Sequence, residues 1–226
     1  MALSLGSLDT MIITRMKRLE DVQAALRGHK RVAVLGCGRC ATTCETGGEK
    51  EVAEMAKLLE SGGHEVAYSG VIEAQCDLRL SRLELRKAGG FDAVLSMGCG
   101  SGASALSDLT DKPVLISNDT MFLGVVKRHG DYVERCGMCG ECTVSDTLGV
   151  CVKTRCSKGL LNGPCGGSHD GKCEVKSERP CAWHLIVERL TERGQLSILE
   201  EPMPARNWWK DRSGGPRKVV REDMEK

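Results

Sequence analysis

Arg31-Val-Ala-Val-Leu-Gly36 is a short, valine-rich apolar run that ends in a glycine. Such a run is typical of a strand that is buried on both faces of a parallel sheet. Residues 49–60 follow with apolar side chains on one helical face, and residues 64–72 have the pattern of a second strand. The order strand, helix, strand predicts a right-handed βαβ unit.

The same alternation continues as far as residue 117. The sequence predicts a helix over 78–87, a strand over 91–96, a short helix over 103–109 and a strand over 113–117. Four strands joined by helices predict an α/β fold with a doubly wound parallel sheet of the flavodoxin or Rossmann-like kind. In such a sheet the first three strands have the order 2-1-3.

The pattern changes near residue 132. Eight of the 13 cysteines lie between residues 136 and 181, separated by glycine and polar residues. A segment with so few large apolar side chains is not expected to form a hydrophobic core, so we expect a metal to hold this irregular region together. A helix is predicted over 182–193, and an extended tail follows. We therefore expect two domains, residues 1–131 and 132–226.

The overall composition excludes several classes of protein. Among 226 residues there are 32 Lys and Arg against 31 Asp and Glu, with three Trp, two Tyr and two Phe. Nucleic-acid-binding proteins usually carry a basic excess and aromatic stacking platforms, and neither is present. No apolar run is long enough for a secretory signal or a membrane span. We expect a cytoplasmic protein without nucleic-acid or membrane partners, in which clustered cysteines bind metal rather than form disulfides.

Five cysteines follow three of the predicted strands. Cys37, Cys40 and Cys44 come after the first strand, Cys76 after the second and Cys99 after the third. Because the carboxyl ends of parallel strands meet at one edge of the sheet, four of these five thiols are predicted to form a site for an iron–sulfur cluster or zinc. The fifth would be an ordinary buried thiol.

Gly36-Cys-Gly38-Arg-Cys-Ala41 allows a rival interpretation, because it matches the G-x-G-x-x-A pattern of dinucleotide-binding loops. The predicted helix, however, begins only near Gly48, and no acidic residue ends the second strand. We therefore expect the glycines to let the backbone turn tightly so that thiolates point inward. Nucleotide binding is the weaker alternative.

Cys136-Gly-Met-Cys139-Gly-Glu-Cys142 has the C-x2-C-x2-C spacing that wraps three thiolates around one [4Fe–4S] cluster. In bacterial ferredoxins a fourth cysteine follows after three more residues, and here Asp146 stands at that position. The eight cysteines of this region make two sets of four, so we expect two metal sites, one of which suits structural zinc equally well. The remaining candidate ligands are Cys151, Cys156, Cys165, Cys173 and Cys181.

The run from Arg135 to Trp183, with Asn162-Gly-Pro-Cys165-Gly-Gly167 at its centre, resembles the methylenetetrahydrofolate reductase C-terminal-type domain family. The loop from Cys37 to Cys44 and the segment Gly214-Gly-Pro-Arg217 are similar to that family too. The resemblance covers roughly residues 12–223. Proteins of this kind form the small, metal-binding subunit of the two-subunit reductases of acetogens and related anaerobes, in the one-carbon metabolism of the Wood–Ljungdahl pathway.

The resemblance implies that this chain works with a second protein. The family partners a TIM-barrel flavoprotein that binds FMN and reduces methylenetetrahydrofolate to methyltetrahydrofolate, and the small subunit is expected to conduct electrons to or from that flavin. Ferredoxin or a further electron-transfer subunit would be an additional partner. We expect two or three [4Fe–4S] sites, FMN on the partner and no complete active site on this chain. The alternatives are a zinc-binding adaptor of the same complex without redox role, and a self-sufficient nucleotide-binding oxidoreductase.

Overall fold

The computed structural model describes residues 11–211 and 215–220, which fall into two compact units, one ending at Val133 and the other beginning at Glu134. The strands of the described part are β1 (Ile12–Met16), β2 (Arg31–Cys37), β3 (Glu65–Ile72), β4 (Ala93–Ser96), β5 (Val114–Ile116), β6 (Asn118–Arg128) and β7 (Asp131–Cys136). Its α-helices are α1 (Leu19–Ala25), α2 (Cys40–Thr43), α3 (Glu49–Ser61), α4 (Leu78–Leu85), α5 (Gly100–Ser107), α6 (Val152–Arg155) and α7 (Ala182–Glu192).

Four strands form the parallel sheet of the N-terminal unit. Their order is β3-β2-β4-β5, and each neighbouring pair is parallel. This arrangement confirms the predicted α/β fold and the predicted order of the first three strands of that sheet. Helix α5 begins at Gly100 rather than at Ala103, so Cys99 is its N-cap residue.

Apolar side chains cover both faces of this sheet, because successive residues of a strand point to opposite sides. On one face Val32 and Val34 pack with residues of α1 and α3. On the other face Ala33 and Leu35 pack with residues of α4 and α5. The helices therefore lie on both sides, as a doubly wound sheet requires.

A second sheet, with the order β1-β6-β7, is absent from the sequence-based prediction. Strands β1 and β6 are antiparallel, and a register shift interrupts their pairing between Ile13 and Thr14. A two-residue turn joins β6 to β7, and Gly130 adopts a φ of 78° there, which favours glycine. Strand β6 carries many exposed side chains and no regular alternation of buried and exposed residues, so the period-2 signal of a strand is weak.

Asn118 links this second sheet to the carboxyl edge of the parallel sheet. Its buried amide nitrogen Nδ2 lies 2.8 Å from the carbonyl oxygen of Met97, 3.1 Å from that of Thr46 and 3.2 Å from that of Gly98. Thr14 and Thr46 also hydrogen-bond through their hydroxyls at 2.6 Å. The first strands of the small sheet are therefore hydrogen-bonded to the loops that carry the N-terminal cysteines.

The C-terminal unit has a hydrophobic cluster of its own. Helix α7 contributes its buried face, and Val150 and Val152 pack against it. The sequence does not predict a hydrophobic core made by residues 136–181 alone, and the two completely or almost completely buried valines of this segment pack against α7, which follows it in the chain. Apolar residues of the tail, Leu199 and Met203, lie at the margin of the same cluster. No helix in the described residues is both long and apolar enough to cross a bilayer.

We predict that Asn118→Asp destabilises the N-terminal unit. The change replaces a buried donor by a carboxylate that faces three carbonyl oxygens, and a buried polar group left without its partners costs about 1–3 kcal/mol. Thermal unfolding followed by circular dichroism should show a lower midpoint.

Asn207→Asp is the matched control for this change. The side-chain oxygen of Asn207 accepts a hydrogen bond from the backbone N–H of Trp209, and a carboxylate can accept it equally well. Equal midpoints for the two variants would contradict the role assigned to Asn118.

Candidate metal-binding sites

The first site is built by the parallel register of three strands. In the sheet Cys37 lies opposite Ile72, and Leu35 lies opposite Ser96. Strands β2, β3 and β4 therefore end at nearly the same level. Cys37 is the last residue of β2 and Cys40 begins α2 just after it, while Cys76 and Cys99 lie in the segments that follow β3 and β4. These cysteines therefore share one edge of the sheet.

The electrostatics of Cys76 show which thiols are gathered at this edge. Burial of the thiol raises the pKa of Cys76 above its usual value, although the residue as a whole is exposed. Three neighbouring thiols raise the same pKa further, namely those of Cys99, Cys37 and Cys40. A charge shifts a pKa in this way only when it lies nearby. Cys37, Cys40 and Cys99 are therefore the thiols that lie near Cys76.

Cys44 is the fifth, and its thiol has a different neighbour. Its Sγ donates to the carbonyl oxygen of Ile12 in β1 at 3.8 Å. Burial raises the pKa of Tyr132, and the nearby Cys44 raises it further. The hydroxyl of Tyr132 donates to the carbonyl oxygen of Thr43 at 3.1 Å. Cys44 therefore lies beside the small sheet, which the sequence pattern did not predict.

The rival nucleotide loop finds little support in this geometry. A Cβ atom at Gly36 would lie 2.3 Å from the carbonyl oxygen of Gly47, so this glycine permits close packing of two loops. The N-terminus of α3 is capped by its own residue, because the backbone N–H of Gly48 donates to the carboxylate of Glu51 at 2.9 Å. The Glu51 carboxylate thus already takes a backbone donor at the start of this helix, where an anion would otherwise bind.

The C-terminal unit contains the C-x2-C-x2-C loop. The backbone N–H of Met138 donates to the Sγ of Cys136 at 3.3 Å, a bond that stabilises a thiolate. Burial alone would raise the pKa of the Cys139 thiol. A hydrogen bond to the Glu141 backbone and the positive charges of Arg206 and Lys153 nevertheless hold this pKa below its usual value. This loop therefore favours the form of cysteine that binds metal.

Cys151 lies beside the same loop. It is the N-cap residue of α6, and its Sγ donates to the hydroxyl of Thr154 at 3.5 Å. A Cβ atom at Gly137, within the C-x2-C segment, would lie 3.5 Å from that same hydroxyl oxygen. The structure thus places α6 next to the segment between Cys136 and Cys139, whereas Cys142 is exposed at its end.

A second group of thiols surrounds Ser157 and Lys158. The hydroxyl of Ser157 forms a 3.5 Å hydrogen bond with the Sγ of Cys173. This bond, together with a hydrogen bond from the backbone of Val175, lowers the pKa of the Cys173 thiol. The ammonium of Lys158 interacts electrostatically with both Cys165 and Cys173 and pairs with Glu174. Cys165 and Cys173 are therefore neighbours of one cation.

Cys156 and Cys181 extend this second group. Cys156 precedes Ser157 in the chain, and both cysteines take part in the hydrophobic cluster around α7. The backbone N–H of Cys181 donates to the carbonyl oxygen of Gly171 at 2.8 Å, and that of Cys173 donates to Arg179 at 2.9 Å. Cys173 and Cys181 therefore lie at the two ends of one hydrogen-bonded loop.

The Asn162-Gly-Pro-Cys165 turn is held on both sides. The side chain of Asn162 accepts from the backbone N–H of Met203 at 2.8 Å and donates to the carbonyl oxygen of Met203 at 2.9 Å. Gly163 lies against the indole of Trp183, where a Cβ atom would come within 2.5 Å of the ring. The indole N–H in turn donates to the carbonyl oxygen of Leu160 at 2.9 Å. Packing against a buried aromatic ring thus explains the glycine in this motif.

All the candidate ligands are thiols, and hydrogen bonds that stabilise a thiolate reach Cys136 from Met138 and Cys173 from Val175, as they do at thiolate ligands of iron or zinc. The chemistry of the donor set therefore fits the predicted metals. Within residues 11–211 and 215–220 no three His, Cys, Asp or Glu side chains are arranged around a point that a single ion could take. The structure therefore shows which thiols are neighbours and no formed ligand set among the described residues.

We predict that Gly163→Ala destabilises the C-terminal unit by about 1–3 kcal/mol, the usual cost of overpacking a tight contact. The new methyl group would meet the Trp183 ring, which is buried and hydrogen-bonded and cannot easily move. The near-UV circular dichroism of the tryptophans should be lost at a lower temperature. Gly137→Ala is the control, because its Cβ would make only ordinary contacts, and a midpoint equal to that of Gly163→Ala would argue against the packing role.

A comparison with protein families gives one match within the chain. Residues 115–209 match the family described as methylene-tetrahydrofolate reductase C terminal. The matched part runs from β5 to Trp209 and includes the eight cysteines from Cys136 to Cys181, but not the five N-terminal cysteines. No curated protein matches the chain. Over residues 115–209 the chain is thus similar to the C-terminal region of methylene-tetrahydrofolate reductase.

Proposed function

We propose that this chain is the iron–sulfur electron-transfer subunit of a two-subunit methylenetetrahydrofolate reductase. The observation that carries the proposal is the gathering of four thiols from three separate loops at the carboxyl edge of the sheet. The family match supports the choice of reductase, because the second cysteine-rich region lies within it. A chain with 13 cysteines, none of them in a disulfide, has the thiols for three four-ligand sites.

The neighbours of each thiol support a division of the cysteines among three sites. The N-terminal set is Cys37, Cys40, Cys76 and Cys99, with Cys44 left as a buried thiol. The first C-terminal set is Cys136, Cys139, Cys142 and Cys151, because α6 adjoins the C-x2-C segment. The second C-terminal set is Cys156, Cys165, Cys173 and Cys181, because these residues surround Ser157 and Lys158 or belong to one hydrophobic cluster.

When bound, a [4Fe–4S] cluster would supply reversible one-electron storage and transfer. The chain's own residues bury the thiols, orient them and donate hydrogen bonds to sulfur, and these factors set the reduction potential of such a site. Arg206 and Lys153 add positive charge beside Cys139. Positive charge near a cluster stabilises its more negative, reduced form, so the first C-terminal set is suited to accepting an electron.

The partner in this proposal is the flavoprotein subunit that binds FMN and reduces methylenetetrahydrofolate, with ferredoxin or another electron-transfer subunit as electron donor. A surface that suits such a partner surrounds Trp209, which is 89% exposed. Glu141 fixes the chain before and after Trp209. It accepts from the backbone N–H of Asn207 at 3.0 Å and pairs with the ammonium of Lys210 at 2.9 Å. A preorganised, exposed tryptophan is typical of the anchor residues of protein interfaces.

A zinc-binding adaptor without redox role is the second candidate. The observation in its favour is that the hydrogen bonds to the sulfurs of Cys136 and Cys173 stabilise thiolates for zinc as well as for iron. Metal analysis separates the two functions directly. A zinc protein is colourless, whereas an iron–sulfur protein absorbs broadly in the visible range.

We predict that the anaerobically purified protein is brown, contains iron and sulfide, and bleaches when dithionite is added. Mixed with the flavoprotein partner, the reduced protein should reduce the bound FMN. Iron and zinc are to be measured per chain by elemental analysis, and sulfide by a colorimetric assay. Zinc at all sites with no iron would contradict the electron-transfer function and favour the adaptor.

The paired variants Cys99→Ser and Cys44→Ser test the N-terminal set. Both residues are buried cysteines in the same unit, but only Cys99 belongs to the group around Cys76. Cys99→Ser should lose the iron of one cluster and retain the C-terminal metal, and Cys44→Ser should retain all of it. Loss of iron from Cys44→Ser but not from Cys99→Ser would show that Cys44 is a ligand and Cys99 is not.

Trp209→Ala should weaken binding to the flavoprotein partner by about 30-fold or more without altering the metal content, since interface anchor residues contribute at least about 2 kcal/mol. Binding is to be measured by co-purification and by titration with the isolated partner. Leu83→Ala, which removes another exposed apolar side chain, serves as the control. If both variants bind as the unaltered protein does, the partner docks elsewhere.

A further inference from the structure

Gln75 is a buried polar residue that connects all three loops of the N-terminal site. It is 1% exposed and directly precedes Cys76. Its Nε2 donates to the carbonyl oxygen of Leu35 at 2.9 Å and lies 3.3 Å from that of Gly36, at the end of β2 next to Cys37. One amide thus joins the loop after β3 to the loop after β2.

The other end of the same amide reaches the third loop. The hydroxyl of Ser96, the last residue of β4, donates to Oε1 of Gln75 at 2.6 Å. The Ser96 oxygen also accepts from the backbone N–H of Gly98 at 3.4 Å, and Cys99 is the next residue. This chain of hydrogen bonds therefore runs from the residue before Cys76 to the residue before Cys99.

The surroundings of the amide leave it no freedom to move. A Cβ atom at Gly98 would lie 2.1 Å from Oε1 of Gln75, and one at Gly102 would lie 2.6 Å from it. The backbone carbonyl of Gln75 is held as well, because it accepts from the hydroxyl of Ser81 in α4 at 2.7 Å. Two glycines thus make room for this side chain, and a buried serine fixes its backbone.

Only a glutamine-like side chain fits these partners. The position needs a donor toward two carbonyl oxygens and an acceptor toward one hydroxyl, and an amide supplies both. Glutamate would place an oxygen against the carbonyls of Leu35 and Gly36. Methionine has a similar volume but would leave the hydroxyl of Ser96 without its acceptor.

We propose that Gln75 is a positioning residue, which holds the loops of Cys37, Cys76 and Cys99 in the mutual placement that an N-terminal cluster requires. The inference rests on the proposed function for the identity of the group, but its geometry concerns this chain alone. Gln75 would not contact the cluster. It acts through the backbone at the ends of β2 and β4 and through its own neighbour Cys76.

The test compares Gln75→Met with the unaltered full-length protein, both purified without oxygen. Two properties are measured on each sample. The first is iron and sulfide per chain, together with the low-temperature electron paramagnetic resonance spectrum after reduction. The second is hydrogen exchange by mass spectrometry in peptides that contain Cys37, Cys76 and Cys99. Gln23→Met, in α1 of the same unit, is the control.

We expect Gln75→Met to accelerate exchange in these three peptides by about tenfold, since the loss of buried hydrogen bonds raises the population of local openings. The iron of one cluster should be lost, or its resonance signal should shift, while the C-terminal metal and the exchange of other peptides stay unchanged. Ser96→Ala removes the hydroxyl that donates to Gln75 and accepts from Gly98, leaves the bonds of Gln75 to Leu35 and Gly36, and should produce the same changes to a smaller extent. It remains informative if Gln75→Met does not fold.

The outcomes separate this inference from the proposed function. Unaltered exchange and an unaltered resonance signal in both variants would overturn the positioning role. Loss of metal from all sites alike, with exchange raised throughout the chain, would also overturn it, because that pattern indicates general destabilisation. If the unaltered protein contains no iron, the proposed function fails, and the exchange in the three peptides alone decides whether Gln75 places the loops.

Discussion

The parallel pairing of β2 with both β3 and β4 is the constraint on which the N-terminal unit depends. In parallel strands all carboxyl ends face the same way, and the observed register makes β2, β3 and β4 end at nearly the same level. Three loops that are distant in sequence therefore begin side by side. The cysteines could come together only because each stands within a few residues of such an end.

Register alone leaves the loops free to move, and buried amides remove that freedom. Asn118 binds the carbonyl oxygens of Thr46, Met97 and Gly98, and Gln75 binds the end of β2 and the hydroxyl of Ser96. A buried amide is costly unless every donor and acceptor is paired, so each of these side chains specifies a single arrangement of its neighbours. The thiols are thus placed by polar contacts that involve no sulfur.

In the C-terminal unit hydrophobic packing contributes directly to the placement of the thiols. Its hydrophobic cluster is centred on α7, and two of its cysteines, Cys156 and Cys181, belong to that cluster. Packing and the placement of thiols are therefore properties of the same residues. The tail is attached to this unit by hydrogen bonds. Asn162 bonds to Met203, and Glu141 bonds to Asn207 and Lys210. A small unit with few large apolar side chains gains stability from each of these contacts.

The sequence by itself determined the parallel sheet, the order of its first three strands and the positions of the cysteines after those strands, because hydrophobic periodicity is a local property. It also identified the C-x2-C-x2-C loop and the turn around Cys165, whose spacing is likewise local. Only the tertiary structure shows that Cys44 lies beside Ile12 of β1, whereas Cys37, Cys40 and Cys99 are the thiols near Cys76. The place of Cys44 depends on β1 and its partner β6, which have weak alternation and pair across more than a hundred residues. The roles of Gln75 and of Gly163 beside Trp183 were likewise visible only in the tertiary structure. The partners of a buried amide or of a tightly packed glycine are distant from it in the sequence.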